Sequence, residues 1–170
     1  MPYDDDGDPV KAGKDGELRL KQWLDANKLS YLYVNQEEAC FASMFQGAIK
    51  RPDFLVLIDS VGLIAVDAKN HKLRDEGCYT LGKEDELKKV LGFERVFRIP
   101  VWYAYMDREN DDCWYWISAL KAAEVGEERK NHTTKVDYLA LPVKHFSEIR
   151  ANDDLGKLYT QRHDSYESVT

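Results

Sequence analysis

The sequence predicts a single α/β (α+β) domain, with helices and strands mixed along the chain and one sheet at its centre. Three observations lead there. Stretches with helical apolar spacing alternate with short β-rich runs. One run, Phe54-Leu-Val-Leu-Ile58, is apolar on both faces, as in a central strand covered from both sides. The chain has 170 residues and a mass of 19.7 kDa, the size of one domain that buries roughly 70% of its unfolded surface.

Each element has a local reason. Residues 1–13, with four aspartates, two prolines and two glycines, read as a flexible acidic tail. A helix is predicted from Asp15, whose carboxylate would cap the first turn, through Leu18, Leu20, Trp23 and Leu24 toward Lys28. Ser30–Val34 reads as a strand, and residues 36–50 receive no assignment. Phe54–Ile58, the turn Asp59-Ser-Val-Gly62 and Leu63–Val66 form a hairpin. After a loop through Gly77, a second helix is predicted from Lys83 to Phe97, with Leu87, Val90, Leu91 and Glu94 at three- and four-residue steps. Pro100 ends it, and Val101–Tyr105 and Cys113–Ile117 read as strands on either side of the polar turn Asp107–Asp112. A charged stretch, Glu124–Lys135, precedes a late strand, Tyr138–Leu141, and residues 151–170 read as a polar tail. Residues 14–150 are then the domain, with element order αβββαββ.

Several classes are excluded. No apolar run approaches the ~18 residues of a membrane-spanning helix. The acidic N-terminus has neither the basic nor the apolar stretch of a secretory signal. Cys40, Cys78 and Cys113 are odd in number and far apart, which fits neither a disulfide framework nor a zinc site. Reduced thiols and a cytoplasmic location are expected. The formal charge of −7 excludes a protein that coats nucleic acid non-specifically, but not a basic strip beside an acidic centre.

The chemistry concentrates between residues 51 and 69, Arg-Pro-Asp53-(Phe-Leu-Val-Leu-Ile)-Asp-Ser-Val-Gly62-(Leu-Ile-Ala-Val)-Asp67-Ala-Lys69. Alternation along a strand points Asp67 and Lys69 to one face. The short turn brings Asp53, before the first strand, alongside the end of the second. Two hard carboxylates can hold Mg²⁺ and leave positions for water and a phosphate. The cation polarises a phosphoryl oxygen and stabilises a leaving oxygen. An ammonium can orient or help deprotonate the attacking water and offset transition-state charge. Asp67 also interrupts an apolar run, where a buried carboxylate costs several kcal/mol unless it is hydrogen-bonded or binds metal.

Pro52-Asp53 and Asp67-Ala68-Lys69 resemble the two halves of the PD-(D/E)XK nuclease signature. The resemblance extends over residues 14–120: a helix with an acid near its start, a hairpin, then a helix and a strand. It implies the restriction-endonuclease-like core, αβββαβ, with a four-stranded mixed sheet flanked by helices. It also implies Mg²⁺-dependent cleavage of nucleic acid, with Mn²⁺ as a substitute cation. On this resemblance Asp53 and Asp67 are metal ligands, Lys69 acts on the nucleophilic water, and Glu17 is an accessory acid and ligand. Asp67 stands where Glu is commoner in the family. DNA is the expected substrate. An RNase of the same fold and a catalytically idle binding or assembly module are the alternatives. A homodimer would suit double-strand cutting, but no sequence feature specifies one.

The remaining candidates keep two readings. Glu17 is either that acid or a partner of the helix dipole, worth about 0.3–1 kcal/mol. His71 and Lys72 either contact phosphate or lie in a loop, while His132, His145 and His163 have no ligand spacing. Asp107–Asp112 lacks the glycine and glutamate of a calcium loop and reads as a hairpin turn. Trp102, Tyr103, Tyr105, Trp114, Tyr115 and Trp116 read as sheet core before base-stacking groups. Lys88, Lys89, Arg95 and Arg98 form either a phosphate-tracking strip or a solvated helix face.

Overall fold

The computed structural model describes residues 9–160. The expectations for residues 1–8, residues 161–170 and His163 fall outside the described residues. Among the described residues the protein is mixed α/β, with three α-helices and a six-stranded mixed sheet. No helix among the described residues is long and apolar enough to cross a membrane.

The first helix, α1, spans Pro9–Ala26 and so begins before Asp15. Pro9 suits the first turn because the missing proline N–H has no helical partner there. The expected capping role of Asp15 is corrected: it lies mid-helix and accepts from Arg19 Nε at 3.0 Å. Leu20, Trp23 and Leu24 face the core, whereas Leu18 is exposed.

Three antiparallel strands follow: β1 (Tyr31–Tyr33), β2 (Phe54–Ile58) and β3 (Gly62–Lys69). The unassigned stretch between β1 and β2 contains two 3₁₀ turns, Glu38–Cys40 and Ser43–Phe45. The β2–β3 hairpin is as expected, and Gly62, at φ 122°, takes the backbone conformation its turn requires. The presumed loop before the second helix holds a strand, β4 (Cys78–Gly82). A π-helical turn, Lys83–Leu87, then leads into α2 (Lys88–Phe97). The strands β5 (Val101–Met106) and β6 (Cys113–Ser118) come next. Ser118 caps α3 (Ala119–Val125), its Oγ accepting from Lys121 N–H at 3.1 Å. The last strands are β7 (Glu127–Lys130), β8 (Asp137–Pro142) and β9 (Ser147–Arg150).

The large sheet has the order β1-β2-β3-β5-β6-β9, with β5 parallel to β3 and the other pairs antiparallel. The strands β4-β8-β7 make a second, antiparallel sheet. On one face of the large sheet α1 covers Phe54, Val56, Val66, Trp102, Trp114 and Trp116. Leu155 and Leu158, inside the stretch expected to be tail, also pack there. On the other face Tyr103, Tyr105 and Ile117 pack with Leu87, Val90 and Phe93 and with Leu139 and Leu141 of β8. The tryptophans and tyrosines of β5 and β6 therefore belong mainly to the core, with Tyr115 half-buried.

Candidate active site

Pairing of Phe54 with Val66 fixes the β2–β3 register and brings Asp53 beside the carboxyl-terminal half of β3. Asp53 N–H donates to Val66 O at 3.0 Å, and its Oδ2 accepts from Ala68 N–H at 2.8 Å. The Asp53 carboxylate is thus tied to the strand that carries Asp67 and Lys69. All three residues are buried and line one cleft, together with Glu17, Gln36, Lys50, His71 and Arg108.

Asp67 and Lys69 share a face of β3, as alternation predicts, and Lys69 Nζ stands 2.7 Å from Asp67 Oδ2. Two residues absent from the sequence reading complete the arrangement. Lys50 Nζ lies 3.0 Å from Asp67 Oδ1 and 2.6 Å from Glu86 Oε2. Lys69 Nζ lies 2.7 Å from the same Glu86 oxygen. Lys50, Asp67, Lys69 and Glu86 form a closed ring of alternating charge. Each Asp67 oxygen is held by one ammonium at ion-pair distance.

This ring sets the electrostatics. Burial alone would raise the Asp67 pKa, but the Lys50 and Lys69 ammoniums outweigh it and hold the carboxyl at about 2. Burial opposes the charge of Lys69, yet Asp67 and Glu86 overcome it and raise its pKa. Lys69 is an ammonium at neutral pH. Asp53 differs: burial, then the neighbouring Asp67 charge, raises it well above the ordinary carboxylate range, and the Ala68 N–H does not offset them.

Glu17 lies well inside α1, not in its first turn, so the helix-dipole reading is corrected. It faces the cleft and accepts a 2.6 Å hydrogen bond from the Tyr33 hydroxyl, which raises the Tyr33 pKa to about 12. His71 is buried, with Nδ1 2.9 Å from Thr80 O, whereas Lys72 is exposed. Lys88 and Lys89 pair with Glu84 and Asp85 one turn back on an outer helix face. Arg95 and Arg98 are exposed.

Comparisons with protein families, with curated proteins and with solved structures find no match to this chain.

Lys50 and Glu86 escaped the sequence reading because neither belongs to a regular element with a recognisable spacing. Lys50 lies four residues before β2, in the segment between β1 and β2. That segment is pinned by Arg51, whose guanidinium donates to the carbonyls of Asn35, Gln36 and Glu37 at 3.0, 2.6 and 2.7 Å. Glu86 comes from the π-helical turn, where a reading based on helical spacing sees only an acidic first turn. The one available signal was the position of Lys50, three residues before Asp53.

Proposed function

We propose that this protein is a Mg²⁺-dependent nuclease that hydrolyses phosphodiester bonds, in DNA before RNA. The observation that carries the reading is the buried pair Asp53 and Asp67 on adjacent strands, with the Lys69 ammonium beside it at a cleft. The path α1, β1, β2, β3, α2, β5, with β5 parallel to β3, supports the restriction-endonuclease-like core. The excursion of β4 into a second sheet and the two extra strands β6 and β9 are additions to that pattern.

The donor set fits a small hard cation. Mg²⁺ takes one or two carboxylates and keeps several waters. Asp53 is a buried carboxylate that its surroundings leave short of positive charge, and it shares the cleft with Asp67, whose charge the Lys50 and Lys69 ammoniums hold in place. Asp53 and Asp67 would hold the cation, with Glu17 at the side of the cleft to order its waters. When bound, the cation supplies Lewis-acid polarisation of the phosphoryl oxygen and charge for the leaving oxygen.

The chain's own groups do the rest. Fixed between two carboxylates, the Lys69 ammonium donates a proton in a hydrogen bond but is not a base. Its work is to orient the attacking water and to offset the charge that grows on the phosphate oxygens. Glu86 keeps that ammonium in place. The Tyr33 hydroxyl fixes Glu17, and the Asp53–Ala68 hydrogen bond fixes the first carboxylate against the strand that carries the other two groups.

The second reading is an idle module. In its favour, the ring of Lys50, Asp67, Lys69 and Glu86 pairs its own charges. Incubation with plasmid, single-stranded DNA and RNA, each with Mg²⁺, Mn²⁺ or EDTA, separates the readings. Cation-dependent cleavage that EDTA abolishes is expected. Intact substrates under all conditions would leave the idle module.

A further inference from the structure

The two lysines of the ring are not equivalent. Lys69 is on a central strand, and its side chain is 4% exposed. Lys50 is at the end of a segment of 3₁₀ turns, and its side chain is 29% exposed. Its backbone is nevertheless anchored, by Lys50 N–H to Lys89 O at 3.3 Å and by the Arg51 contacts on the other side. A long flexible stem on a fixed backbone lets the ammonium swing while the chain stays put. The Lys50 ammonium lies on Asp67 Oδ1, in the same cleft as Asp53, where its charge also acts on that carboxylate.

We propose that Lys50 holds, in the cation-free protein, the place at Asp67 Oδ1 that a divalent cation takes, and that it must swing out before the site loads. The inference rests on Asp53 and Asp67 being the cation ligands. Charge and geometry argue for it together. An ammonium and a dication cannot share one carboxylate oxygen at contact distance without strong repulsion. Lys69 has no room to leave, so Lys50 is the group that yields. The acid left behind keeps Lys69 as its partner on Oδ2, and Glu86, 2.6 Å from the Lys50 ammonium in the ring, offers a counter-charge about which that ammonium can pivot. The ring thus prevents two buried acids from facing each other without a cation, and sets a threshold for loading.

The test is calorimetric titration of the cation-free protein with Mg²⁺, without nucleic acid, at fixed pH and salt. Lys50→Met keeps the stem and removes the charge. If the form with Lys50 displaced is populated at 10% or less, the variant binds Mg²⁺ at least about tenfold more tightly than the wild type. Lys88→Met removes an exposed charge on α2 and should leave affinity within about twofold, which controls for net charge. Lys50→Arg should bind no more tightly than the wild type. Wild-type affinity in Lys50→Met, or weaker binding, would overturn the proposal and leave Asp53 and Asp67 as ligands. Absence of Mg²⁺ binding in both wild type and Lys50→Met would overturn the proposal together with the cation reading of the site.

Discussion

Asp53 is buried with the negative Asp67 beside it and one N–H donor, from Ala68, so the folded protein holds its charge at a disadvantage. Its folded pKa lies above the ordinary 3.8, and this penalty grows as pH rises past that value. Asp67 has the opposite sign. Its pKa of about 2 lies below 3.8, so its stabilisation is complete above the ordinary value and is lost as pH falls through 2. The two Asn variants must therefore diverge in cation-free buffer at neutral pH. Asp53→Asn raises the melting temperature, by a margin that shrinks toward pH 4. Asp67→Asn leaves Lys50 and Lys69 to share the single charge of Glu86 and lowers stability by about 3–5 kcal/mol. Thermal melts across pH check both, and a melting temperature that falls in Asp53→Asn would show that this carboxylate is not under strain. Glu17 is read in the same way. Glu17→Gln keeps the Tyr33 contact as a neutral hydrogen bond, so a near-normal melting temperature is expected, with cleavage slower by about 10–100-fold. Full cleavage activity would remove Glu17 from the site.

At the scale of elements, α1 is clamped to the end of β3. A Cβ built on Gly16 would stand 3.0 Å from Asn70 Cβ, while nothing lies within 4 Å of the same atom on Gly13. Asn70 Nδ2 donates to Ala12 O at 3.2 Å, and Arg108 donates to Asn70 Oδ1 and O at 3.0 and 2.8 Å. Gly13→Ala should stabilise the protein by about 0.5–1 kcal/mol through helix propensity and leave cleavage unchanged. Gly16→Ala should push α1 off β3 by a few tenths of an ångström and carry Glu17 with it, which lowers the cleavage rate. Equal behaviour of the two variants in melts and rate assays would show that the clamp does not position the site. The hairpin was legible because its apolar strands, turn residues and both signature halves are contiguous. The strand β4 was not. All five residues of Cys78–Gly82 are buried, but Gly77 precedes the strand and Gly82 ends it, both reading as turn chemistry, and the partner strand Asp137–Pro142 lies far along the chain. The start of α1 was misplaced because its first described turn has no acidic residue, whereas Asp15 offers a capping side chain further along.

Across the whole molecule, the large sheet divides the labour. The α1 face and the face toward α2, α3 and the second sheet are both closed by apolar side chains, so the polar cleft opens at one end of β2 and β3. On the proposed function, a net charge of −7 leaves attraction of an anionic substrate to local groups at the cleft, such as Lys50 and Arg108, rather than to a broad field. Asp53, Asp67 and Lys69 were legible as one centre because register alone brings them together. Lys50 and Glu86 depend on how a 3₁₀ segment and a π-helical turn fold against the sheet, which no local pattern specifies. On the proposed function this centre hydrolyses phosphodiesters with Lys69 acting as a fixed ammonium. The direct test is the single-turnover cleavage rate of a labelled DNA by wild type and Lys69→Met in saturating Mg²⁺, with Mg²⁺ binding measured on both. The proposed role of Lys69 predicts retained cation binding and a rate lower by roughly 10² or more. Cleavage by Lys69→Met at the wild-type rate would contradict it.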